Sequence, residues 1–139
     1  TRPLSAELVE KLGPELSQEL HGGLPALSLP SMIGFHTAFN NDDKPEYAFA
    51  QQVVAFGQPG DVLMGISTSG NSKNIIKAAE AARALGLKVL SLTGQDGGVL
   101  ATLADIAIKA PATEVARVQE LHLPIYHSLC QMVEDTLFP

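Results

Sequence analysis

Between residues 65 and 73 the chain reads Gly-Ile-Ser-Thr-Ser-Gly-Asn-Ser-Lys, with four hydroxyl side chains (Ser67, Thr68, Ser69 and Ser72) inside six positions. The run is preceded by an apolar segment, 61–66. It is followed by an Ala-rich stretch, 73–85, whose Ile75, Ile76, Ala79, Ala82 and Leu85 fall on one helical face. A strand that passes through such a loop into a helix sets free backbone N–H groups and the positive end of a helix dipole beyond the carboxyl end of the strand. Ligands bind there in open α/β sheets. Gly70 lets the backbone curl, and the hydroxyls add directional donors without adding charge, a combination suited to the phosphate dianion of a small substrate. Two other readings fail on spacing. A Walker loop requires Gly-Lys-Ser/Thr where Gly70-Asn71-Ser72 stands, and a hydrolase elbow requires glycine where Ser69 stands. A plain turn in which Ser72 only caps the next helix stays open, with the phosphate cradle preferred.

A second group lies near the carboxyl terminus. Gln119, His122 and His127 fall in a stretch, 113–137, that reads as one long helix lined by Val115, Val118, His122, Ile125, Leu129 and Val133. Eight residues of helix turn the chain about 80° beyond two full turns and about 12 Å along the axis, so Gln119 and His127 face roughly one side. Pro124 between them is a candidate kink. On residue type alone, a lone helical histidine reads as structural, and His122 reads as core. Asn41 and Asp42 stand in Asn-Asn-Asp-Asp-Lys-Pro, 40–45, which reads as turn chemistry.

The elements that must position these groups follow from periodicity. Leu8, Leu12, Leu16 and Leu20 repeat every four residues, predicting a surface helix over 3–20 with Ser5 as its cap and Gly22-Gly23 as its stop. The short apolar run 25–29 predicts a strand, and 31–39 leans towards helix. Pro45 suits the first turn of a helix running to Phe56. The continuous apolar run 61–66 predicts a parallel strand covered on both faces. Further strands are predicted at 88–92 and 106–108, with a short helix at 99–103 between them. The alternation predicts an α/β domain: a three-layer αβα sandwich with a mostly parallel sheet, spanning 1–139 as one unit.

Composition narrows the classes of function. Nine Lys and Arg against 15 Asp and Glu give a net charge of -6, a poor match to direct nucleic-acid or anionic-membrane binding. Residues 21–41 lack Asp, Glu, Lys and Arg, but Gly22, Gly23, Pro25 and Pro30 exclude a spanning helix. The single cysteine, Cys130, excludes an internal disulfide framework and points to a reducing, cytoplasmic setting.

Three segments together resemble one family. Ile-Ser-Thr-Ser-Gly-Asn-Ser, 66–72, with Val-Leu-Ser-Leu-Thr-Gly, 89–94, is similar to the sugar isomerase (SIS) domain. Asn41-Asp42 followed by Phe-Ala-Gln-Gln-Val, 49–53, and Gln-Glu-Leu-His, 119–122, with His127 resemble its phosphoheptose isomerase branch. The resemblance implies an SIS fold of the flavodoxin or Rossmann kind and an aldose–ketose isomerase of a sugar phosphate, sedoheptulose 7-phosphate above all. It also implies a tetramer or dimer. By it, Ser67, Thr68, Ser69 and Ser72 hold phosphate, while Asn41, Asp42 and Gln119 touch the sugar. Gln119 and His127 help bind zinc, and His127 transfers protons. The family also carries an earlier Gly-Asn-Gly-Gly-Ser loop and a His-x-x-x-Glu helix that supply further substrate and metal contacts. Neither occurs in 1–139, so the expectation is a longer native protein. A non-catalytic member of the family, a phosphosugar sensor or a partner of a replication initiator, is the alternative.

Overall fold

The computed structural model describes residues 2–138. They form two compact units, one comprising the chain up to Leu27 and from Ile125 onward, the other Ser28–Pro124.

The larger unit is built on three parallel strands, β1 (Val62–Ser67), β2 (Lys88–Thr93) and β3 (Ile106–Lys109), in the order β1-β2-β3. Val62 pairs with Lys88 and Ser67 with Thr93, while Leu90 opposite Ile106 sets the register of the second ladder. Helix α4 (Lys73–Ala84) connects β1 to β2, and the short helix α5 (Gly98–Leu103) connects β2 to β3. Both connections step the same way across the sheet, so their right-handedness puts both helices on one face. Gly65 shows the consequence. A side chain there would meet Ile75 of α4 at 3.0 Å and Leu100 of α5 at 3.3 Å. Small residues on α4, Ala78, Ala79 and Ala82, let it sit close to the sheet, and they join Val53, Leu87, Val89 and Leu100 in the core.

The opposite face carries Val62, Met64, Ile66 and Ile106, exposed at 63%, 37%, 48% and 63%. The expectation that the first strand is covered on both faces is therefore corrected: both crossover helices lie on one side. The α/β class and the parallel sheet stand as expected.

Helices α2 (Ile33–Asp42) and α3 (Ala48–Phe56) complete the larger unit, with a single 3-10 turn, Pro45–Tyr47, leading into α3. The strand expected at 25–29 is absent, and a 3-10 turn, Leu29–Ser31, stands at its end. Pro25 and Pro30 lack the N–H that a sheet ladder needs. The Leu29 carbonyl instead accepts from the Gln52 amide at 3.1 Å and lies 3.0 Å from the His36 ring.

In the other unit, α1 (Ala6–Glu19) begins on Ser5, whose hydroxyl accepts the Leu8 N–H as expected. The leucine repeat does not run on one continuous helix. Gly13 adopts φ 76° and ψ 175° ahead of Pro14, which has no N–H to continue the ladder, so α1 is two pieces joined at a kink. Helix α6 (Val115–Leu137) contains Pro124; its residues up to Pro124 belong to the larger unit and those from Ile125 to this one. Of its expected apolar stripe, Val118 and His122 are buried, whereas Val115 and Val133 are exposed.

Candidate functional site

The hydroxyl loop leaves the sheet at the carboxyl end of β1, where the sequence places it. Ser67 is buried, and its carbonyl accepts the Gly70 N–H at 3.1 Å, closing a tight turn. Gly70 has φ 67°, a left-handed conformation that a side chain would oppose. That turn brings Ser72 back over the strand end, with its Oγ 2.8 Å from the Oγ of Ser67. Ser72 occupies the N-cap position of α4, yet its side chain makes no capping bond. The plain-cap reading of Ser72 is thus excluded by the geometry: the hydroxyl is turned into the loop, where Ser67 holds it.

Ser69 is exposed, and its Oγ accepts the Asn71 N–H at 3.2 Å, so the hydroxyl proton is left to donate outward. Thr68 is half-buried, and its carbonyl takes the Gly94 N–H at 2.9 Å, fastening the loop to the end of β2. Among the described residues, the backbone N–H groups of Ser69, Ser72, Lys73 and Asn74 have no protein acceptor. Free N–H groups at the start of a twelve-residue helix, beside serine hydroxyls, are able to donate to an anion without a charged side chain inside the loop.

The other expected site residues are placed separately. Asn41 and Asp42 form the last turn of α2 and are exposed, so they are helical rather than part of a turn; the Asp43 N–H bonds to the Phe39 carbonyl and ends the helix. Gln119 is exposed near the start of α6. His122, three residues on, is buried, and its Nε2 lies 3.0 Å from the Thr93 carbonyl at the end of β2. That bond accounts for the core reading of His122. His127 belongs to the other unit, is exposed, and packs edge-on against Tyr126 with ring centroids 5.1 Å apart.

Sequence reasoning missed how the loop is held from outside. The carboxamide of Asn71 reaches the N–H of Val99, and Gly70, Gly97 and Gly98 allow two backbones to touch. The Gly97-Gly98 pair was the available signal, since both adopt positive φ.

Residues 20–94, more than half of the chain, match the SIS domain family. The chain belongs to that family. It is 46% identical over 119 residues to a phosphoheptose isomerase of Shewanella sp. (strain ANA-3), an alignment covering 84% of this chain and 60% of that protein. The corresponding protein of Shewanella denitrificans is 47% identical, with 84% and 61% covered. Among solved structures, phosphoheptose isomerase GmhA from Neisseria gonorrhoeae superposes with a TM-score of 0.78 at 40% identity, covering 81% of this chain and 62% of that one. A phosphoheptose isomerase from Francisella tularensis does so at the same TM-score and 39% identity, with 81% and 63% covered. The chain thus spans about 60% of the length of the curated relatives it matches.

Proposed function

We propose that this SIS-domain chain acts in the interconversion of aldose and ketose forms of a heptose phosphate, with sedoheptulose 7-phosphate as the ketose. The observation that carries the reading is the loop at the end of β1. Its half-buried Ser67–Ser72 hydroxyl pair, outward Ser69 and unpartnered N–H groups make a phosphate anchor, in a chain 46% identical to proteins named phosphoheptose isomerase. Ser67, Thr68, Ser69 and Ser72 hold the phosphate and so fix the sugar's distance from the sheet. Asn41, Asp42 and Gln119 offer amide and carboxylate groups to its hydroxyls.

The chemistry moves two protons. One leaves the carbon beside the carbonyl and is returned to the carbonyl carbon through an enediol(ate), and the other passes from the hydroxyl oxygen to the former carbonyl oxygen, so the carbonyl and hydroxyl exchange places and no atom is gained or lost. In this reading His127 is the acid/base group, its imidazole nitrogen taking up the proton and giving it back. Zinc is the metal the family resemblance implies, with Gln119 and His127 as two donors. A zinc site takes about four donors, and among the described residues no group of three or more His, Cys, Asp or Glu could hold a metal. The donors present do not make a complete zinc site, and no step is routed through a metal.

A cytoplasmic setting for a small-molecule enzyme is part of the same reading, supported by a lone, exposed Cys130. Among the described residues, no helix is long and apolar enough to cross a membrane. Incubation of the full-length protein with sedoheptulose 7-phosphate in deuterated water tests the activity. The expected result is an aldose phosphate carrying deuterium at the carbon next to the new carbonyl. Binding of the sugar phosphate without exchange would instead assign the chain to phosphosugar sensing.

A further inference from the structure

We infer that Asn71 is the positioning residue of the anion loop: its carboxamide locks residues 69–72 against the first turn of α5 and so sets the direction of the loop's N–H and O–H donors. The inference rests on the phosphate-anchor reading above and adds to it the part that holds the anchor in shape.

The geometry is two-sided. Asn71 Nδ2 donates to the Ser69 carbonyl at 3.1 Å, and Asn71 Oδ1 accepts the Val99 N–H, 28 residues further along, at 3.1 Å. The next N–H of α5, that of Leu100, bonds to the Gly70 carbonyl at 2.9 Å. Two consecutive N–H groups that the start of a helix leaves without intrahelical partners are therefore both taken up by the loop. The contact is also close. A side chain on Gly98 would lie 2.5 Å from the Ser69 carbonyl oxygen, and one on Gly70 would lie 2.0 Å from that of Gly97. The backbones touch, so hydrogen bonds decide how the peptide between Ser69 and Gly70 is turned. Without the Asn71 side chain, the Ser69 carbonyl loses its donor and that peptide is held on one side only, by the Gly70 N–H bonded to the Ser67 carbonyl. The Ser69 and Ser72 N–H groups on either side then no longer converge.

Asn71 itself is exposed and lies outside the core cluster, which separates positioning from folding. The test is a titration of the full-length protein with inorganic phosphate, followed by amide NMR, in wild type and N71A. In wild type, phosphate moves the amide signals of Ser69, Ser72 and Lys73. In N71A the phosphate affinity falls by about tenfold, the scale of one charge-assisted hydrogen bond. Hydrogen exchange at the Val99 amide speeds up while the amides of Ala79 and Val89 stay protected. N71D keeps an acceptor for Val99 but no donor for Ser69, so it restores Val99 protection without restoring affinity. If N71A does not fold, N71S, too short to bridge to Val99, is held to the same expectations. Affinity in the variant within about twofold of wild type, or unchanged exchange at Val99, overturns the inference and leaves the anchor reading intact. A wild-type protein whose loop amides do not respond to phosphate overturns both.

Discussion

At the scale of the residue, Ser69 is the most direct probe of the anchor, because its hydroxyl is exposed and its lone pair is already engaged by the Asn71 N–H. Ser69→Ala removes a donor to a charged acceptor. It is expected to weaken phosphosugar binding by about 1.5–3 kcal/mol with little change in stability. Calorimetry checks this, and equal affinities in mutant and wild type would remove Ser69 from the site. His122 behaves differently. Replacing it with Leu removes one of the two bonds at the Thr93 carbonyl, which keeps the Ala110 N–H, at a cost of about 0.5–1.5 kcal/mol. A thermal melt within a degree of wild type would contradict that role. These residues differ in how readable they were. The hydroxyls fall within six positions, so one window of sequence suffices to suggest the proposed cradle. The partners of Asn71 and His122 lie 28 and 29 residues away, and no local pattern announces a bond that only the fold closes.

At the scale of the element, strands and crossover helices were legible because burial writes a continuous apolar run or a 3.6-residue period into the sequence. The misread elements share another cause. The run 25–29 has strand-like composition, but Pro25 within it and Pro30 just after it lack the donors of a ladder. The leucine repeat of α1 is regular, but Gly13-Pro14 breaks the helix that carries it. Asn41 and Asp42 have turn chemistry yet finish α2, where Phe35 and Phe39 stack at 5.3 Å one helical turn apart. The glycine contact between the loop and α5 yields a prediction at this scale. Gly98→Ala adds a methyl group 2.5 Å from the Ser69 carbonyl oxygen at a residue with φ 54°. It is expected to destabilise the fold by about 1–3 kcal/mol from backbone strain alone and to abolish phosphate binding. Retention of wild-type phosphate affinity would show that the two backbones can part without harm.

The junction of β2 and β3 makes a pH prediction. The Asp105 carboxylate accepts the Val89 N–H at 2.8 Å and the Lys88 ammonium at 3.1 Å. The backbone N–H first, and then Lys88, hold its carboxyl below the ordinary value of 3.8. A group whose folded-state value is depressed stabilises the fold fully above its unfolded value and loses that contribution as pH falls through the folded one. Wild type is therefore expected to lose melting temperature more steeply than Asp105→Asn as pH drops below about 4. Parallel pH profiles for the two proteins would show that Asp105 does not couple to folding.

At the scale of the whole molecule, exposed apolar side chains recur with helical spacing on α6, which also carries site residues. There Val133 and Leu137 are one turn apart, Met132 is adjacent, and Leu123 precedes them; all are exposed. Leu8 of α1 and, beyond its Gly13 kink, Leu16 and the capping residue Leu20 are exposed as well. Single exposed leucines need no explanation, but ordered rows of them are what association between copies buries. A homo-oligomer is thus the expected state, with closed symmetry making each such row meet an identical or complementary one. Light scattering at micromolar concentration is expected to give a multiple of the chain mass. Met132, 63% exposed, is the residue to perturb. Met132→Lys places a charge beside the row, which is expected to shift the population to smaller species. Its effect on the stability of each chain should stay within about 0.5 kcal/mol, as for an ordinary surface change. A wild-type protein of monomeric mass rejects the oligomer outright. An oligomer that Met132→Lys leaves intact moves the interface off α6, and the leucines of α1 and the exposed sheet face of Val62, Met64 and Ile66 become the surfaces to charge next.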